Sequence, residues 1–136
     1  MASLSKFKGR TFRVWEFHVS HSRLLLRSHE LDDTIVDIVF LGVAWMDVPD
    51  VLRGLVIEKG NEEDLHRVVA RLGQVPHEEK VFALVAEGRR FLVVGSVPFW
   101  REFRGGVEQA LSPLFWSRPA ADQDSALVGF VAWNGE

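Results

Sequence analysis

The chain has 136 residues, 47% hydrophobic and 26% charged, with a formal net charge of -3 and no cysteine. This length suits a single globular domain over residues 1–136, which can bury about two-thirds of the surface of its unfolded chain without staples. The composition excludes disulfides, thiolate catalysis and cysteine-type zinc sites. It gives no basic footprint for nucleic acid, and its longest apolar run, Ile38 to Met46, is far below the roughly 20 residues of a membrane span.

In chain order, Met1 to Phe12 is basic and lacks the apolar core of a secretory signal, while Ala2 stands where myristoylation requires glycine. A cytoplasmic location is therefore expected. Lys6, Lys8, Arg10 and Arg13 read as solvated surface. Thr11 to Val19 and Ser22 to Ser28 are rich in β-branched, aromatic and aliphatic residues, which predicts two strands separated by a turn or bulge at Ser20-His21-Ser22. After an acidic loop with Glu30, Asp32 and Asp33, the nearly continuous apolar run from Ile35 to Met46 predicts one long strand buried on both faces. Pro49 breaks it, and Val51 to Glu58 predicts a further strand weakened by Gly54.

A helix is predicted over Glu62 to Leu72. Asn61 suits the N-cap, Glu62, Glu63 and Asp64 complement the helix dipole, and Leu65, Val68, Val69 and Leu72 form one apolar stripe. Gly73 suits the C-terminal cap, and Pro76 prevents continuation. Val81 to Ala86 and Arg90 to Val97 then flank Glu87-Gly88-Arg89, a hairpin signal. With Gly88 and Arg89 as its loop residues, Glu87 would face Arg90. Beyond Pro98 the periodicity dissolves until Ala126 to Trp133, a last apolar strand.

Asp37 is the polar residue most out of place, because Ile35, Val36, Ile38 and Val39 predict burial of the whole strand. A buried carboxylate must be paired or protonated. A hairpin with a five-residue loop at Glu30 to Thr34 would put Arg27 opposite Asp37, so a cross-strand ion pair is expected. His18 and His21 lie three positions apart, and on a regular strand they point to opposite faces. No metal site is expected. A triad drawn from Ser20 or Ser22, a histidine and Asp37 or Asp47 lacks a nucleophile elbow. Gly105-Gly106 lacks the lysine and hydroxyl of a phosphate loop, so no cofactor is expected either.

Five tryptophans and no tyrosine occur in the chain. Trp100, Arg101, Phe103, Arg104, Phe115 and Trp116 concentrate aromatic and arginine side chains where periodicity is poor, a combination suited to a protein interface.

The expected fold is α+β: about seven mainly antiparallel strands in a strongly curved sheet, a sandwich or partly open barrel, with one amphipathic helix at 62–72. The expected function is a non-enzymatic interaction or regulatory module that binds a protein partner or a second copy of itself, through a sheet edge or the aromatic and arginine surface. A small apolar ligand held between curved sheet and helix is the alternative, and a hydrolase using His18 or His21 comes third.

Overall fold

The computed structural model describes residues 3–18, 22–30, 34–74, 77, 80–96, 98–104 and 126–130. Within them the chain runs β1 (Ser3–Leu4), β2 (Thr11–His18), β3 (Arg23–His29), β4 (Thr34–Phe40), β5 (Trp45–Asp47), β6 (Val51–Arg53), β7 (Val56–Lys59), α1 (Glu62–Leu72), β8 (Val81–Ala86), β9 (Arg89–Val94), β10 (Phe99–Arg104) and β11 (Ala126–Phe130). The strands form two open sheets, one in the order β1-β7-β8-β9-β5 and the other in the order β11-β10-β4-β3-β2-β6. Neighbouring strands pair antiparallel, and the architecture is α+β with one helix.

Eleven strands stand among the described residues where about seven were expected. Two predicted strands are each broken by a glycine in the left-handed region: Gly42 (φ 58°) separates β4 from β5, and Gly54 (φ 73°) separates β6 from β7. In both cases the chain leaves one sheet and enters the other. Hydrophobic content alone does not reveal such a crossing, because both halves of the run are apolar. The region after Pro98, expected to be irregular, begins instead with the regular strand β10, which lies between β4 and β11.

The sheets face each other across an apolar core. Leu24, Leu26, Val36, Ile38 and Phe40 project from one sheet, and Ile57, Phe82, Leu84 and Val93 from the other. Alternation along each strand explains the choice: Phe82 and Leu84 of β8 point inward, while Val81 and Ala83 point out to α1. There Val68, Leu65 and Leu72 cover them, so the stripe predicted for the helix is the one that packs.

Both ends of α1 are capped as the sequence suggested. The Asn61 side chain accepts from the Asp64 backbone N–H, Asp64 returns a bond from the Asn61 N–H, and Gly73 (φ 73°) donates to the Val69 carbonyl. Arg90 of β9 fastens the helix to the sheet, donating to Asp64 through Nη2 at 2.7 Å and to Glu58 of β7 through Nη1 at 2.7 Å.

The hairpin between β8 and β9 closes one residue earlier than expected. Ala86 pairs with Arg89, so the turn residues are Glu87 (φ 53°) and Gly88 (φ 75°). Two positive φ angles define a type I′ turn, whose twist matches that of the strands.

Candidate functional site

The outward face of the six-stranded sheet carries a row of charged groups. In the β3–β4 hairpin His29 pairs with Ile35 and Arg27 with Asp37. Arg27 donates from Nε to Asp37 Oδ1 at 2.6 Å and from Nη2 to Oδ2 at 2.8 Å, a bidentate pair with Asp37 fully buried. Arg101 of β10, on the other flank of Asp37, donates from Nη2 to Oδ2 at 3.2 Å. Two guanidinium groups thus converge on one carboxylate, bridging three adjacent strands. Burial pushes the Arg101 pKa down, and Asp37 partly offsets that effect.

The row continues to β2. Arg27 Cζ lies 5.1 Å from the ring centroid of Trp15, a cation–π contact. Trp15 is the extra residue of a β-bulge: Val14 pairs with Leu26 and Glu16 with Leu25, leaving Trp15 without a counterpart. Arg27 therefore holds the tryptophan ring on one side while Asp37 holds Arg27 on the other.

The edge of β2 changes character at this bulge. Up to Arg13 it is covered by β6, through Thr11–Arg53, Phe12–Leu52 and Arg13–Val51 pairs, and Val14 N–H still reaches the Asp50 carbonyl at 2.9 Å. Pro49 then lacks an N–H to donate, and the preceding chain belongs to β5 in the other sheet. No described strand lies beside Trp15–His18 on that side. Trp15 (40% exposed) and Phe17 (37%) are the exposed large hydrophobic residues among those described, and both occupy this segment. Glu16 and His18 alternate with them, and His18 Nε2 donates to Glu16 Oε2.

Of the residues expected to form an interface after Pro98, the side chains of Trp100 and Arg101 are described. Arg101 is 6% exposed and turned toward Asp37, because β10 joins the sheet beside β4 and alternation points this side chain at the buried acid. This corrects its expected role as a solvent-facing anchor. Trp100 points to the opposite face, where it packs edge-to-face on Phe7 with ring centroids 5.3 Å apart, beneath Lys6 Nζ at 4.1 Å. Phe103 and Arg104 continue β10, with Phe103 opposite Ile35 and Arg104 opposite Thr34, but their side chains, like all of Phe115 and Trp116, lie outside the described residues.

His21 and Ser20, considered for metal binding or catalysis, also lie outside the described residues. Asp37, the acid considered for a triad, is occupied by two arginines. Among the described residues no three His, Asp or Glu side chains converge as metal ligands, and no helix is long and apolar enough to cross a membrane.

Arg10, read as solvated surface, instead clamps the opening of the β3–β4 hairpin. It donates to Ser28 Oγ and Thr34 Oγ1 at 3.0 Å each, and to the Thr34 carbonyl at 2.8 Å. Its composition gave no signal, because the partners are small polar residues far along the chain.

At the end of the sandwich, a cleft of about 270 Å³ lies between β6 and the β8–β9 hairpin, with Arg53, Glu87 and Arg89 around Val51 and Phe91. It is not the apolar enclosure between sheet and helix that a ligand binder was expected to have. No protein-family model matches this chain, and comparison with curated proteins and with solved structures returns no match.

Proposed function

We propose that this protein is a non-enzymatic interaction module that receives an extended chain by strand addition along Trp15–His18. The observation that carries the reading is the coincidence, on one short segment, of a strand edge that no described strand covers and the two exposed aromatics Trp15 and Phe17. Edge N–H and C=O groups supply affinity for any extended backbone, and flanking side chains supply selectivity. Tryptophan stacked on arginine suits an interface anchor, since Arg27 already restricts the ring and lowers the cost of ordering it on binding. The ladder behind it fixes β2, β3, β4 and β10 as a stiff platform.

A small-ligand role is the weaker reading: the cleft found among the described residues, beside Arg53 and Glu87, is open and mostly polar. The cysteine-free chain is compatible with the cytoplasmic location that forms part of the proposal.

Selection of a displayed random-peptide library on the full chain tests the reading. Enriched peptides should be extended and carry apolar residues, and should lose binding to a Trp15→Ser/Phe17→Ser variant that retains its thermal midpoint. Enrichment that ignores both substitutions would place recognition elsewhere.

A further inference from the structure

We propose that the strand received by this edge is β2 of a second copy of the chain, paired antiparallel about a twofold axis at Phe17. The proposal rests on the strand-addition reading and deepens it by naming the partner.

Backbone direction comes first. Val14 sends its N–H away from β3, to the Asp50 carbonyl. Regular alternation would point Glu16 the same way, but the extra residue at Trp15 shifts the phase: Glu16 sits opposite Leu25 and turns toward β3, and Phe17, opposite Leu24, turns away from it. Phe17 therefore presents both its N–H and its C=O on the side where no described strand lies. A twofold axis through Phe17 joins these groups in the two copies by a pair of reciprocal N–H···O bonds, the hydrogen-bonded arrangement of an antiparallel ladder.

Side-chain chemistry selects the same register. With Phe17 opposite Phe17 of the second copy, Glu16 faces His18 of the second copy, and the symmetry repeats this contact. Within one chain His18 already donates to Glu16, so pairing assembles two acids and two imidazoles with alternating character. Shifting the axis by one residue, to Glu16, would oppose two carboxylates and is disfavoured. The two exposed phenylalanine rings meet at the axis, and the six-stranded sheets of the two copies become continuous.

Sedimentation equilibrium of the full chain over a wide concentration range tests the proposal, with thermal unfolding of each variant as the control for folding. The unaltered chain should show a monomer–dimer equilibrium. Phe17→Pro removes the edge-facing N–H and leaves the β3-facing donors in place; it should weaken the dimer by at least about tenfold, the loss expected for two hydrogen bonds. Glu16→Lys should weaken it as well, and adding His18→Glu should restore it, a rescue that does not depend on the stability of the proline variant. A chain monomeric at every concentration, a dimer indifferent to Phe17→Pro, or a charge exchange without rescue would overturn the pairing. Peptide selection separates this failure from that of the broader reading: displayed peptides that still bind to the Trp15–His18 edge of a monomeric chain would leave strand addition standing with a foreign partner.

Discussion

Asp37 and Arg27 stand directly opposite each other on β4 and β3 and form a bidentate ion pair with bonds of 2.6 and 2.8 Å, with Asp37 fully excluded from solvent. Removing the acid would leave Arg27 and Arg101 as neighbouring buried cations, so Asp37→Ala should destabilise the fold by about 3–5 kcal/mol. Arg101→Met should cost less than Arg27→Met, since its loss leaves the bidentate Arg27–Asp37 pair intact. Urea midpoints of the three variants check both expectations; an unchanged midpoint for Asp37→Ala would remove the pair from the account of stability.

Asp64 gives the fold an acid-sensitive contact between helix and sheet. Burial raises its pKa, but hydrogen bonds from Arg90 and the Asn61 backbone, with the charges of Arg90 and Arg67, outweigh burial and hold it below its ordinary value of 3.8. A carboxylate whose folded pKa is depressed stabilises fully above its unfolded pKa and loses that contribution as pH falls through the folded value. The Asp64 contribution should therefore be constant near neutral pH and disappear below about pH 4. Thermal midpoints measured against pH should fall less steeply in this acid range for Asp64→Asn than for the unaltered chain; parallel curves would contradict the assignment.

Glu87 occupies the first turn position of the β8–β9 hairpin at φ 53°, where a side chain other than asparagine, aspartate or glycine is strained. Its contact with Arg53, at 3.6 Å between largely exposed groups, offsets little. Glu87→Asn should raise stability by about 0.5–1 kcal/mol. A lower melting temperature would show that the arginine contact or the neighbouring cleft outweighs the turn.

Gly60 leads from β7 into the cap of α1, and its N–H donates to the Val81 carbonyl at 2.7 Å. A Cβ there would come within 2.6 Å of Val81 Cγ1 and 2.9 Å of the Val81 carbonyl oxygen. Backbone atoms cannot yield as a flexible side chain does, so Gly60→Ala should destabilise by about 1–3 kcal/mol. Chemical denaturation measures this directly, and a neutral result would mean that the β7–α1 junction shifts freely.

Features governed by near neighbours in the chain were legible in the sequence. The helix over Glu62 to Leu72, its caps at Asn61 and Gly73, and the antiparallel character of the sheet follow from periodicity and terminal residues that act within a few positions. The opposition of Arg27 and Asp37 also belongs here, because one short hairpin sets its register and an acid in an apolar strand demands a partner.

Tertiary structure decided the rest, for reasons of distance and direction. The crossings between sheets at Gly42 and Gly54 depend on which face the following residues find to bury, which an unbroken apolar run does not encode. Arg101 reaches Asp37 across 64 positions, through the insertion of β10 between β4 and β11. The exposure of Trp15 and Phe17 has the same origin: their composition matches a core strand, and once the chain departs at Pro49 no described strand lies beside their edge. Local propensity selects the elements, whereas a sheet edge exists only by reference to the strands placed beside it.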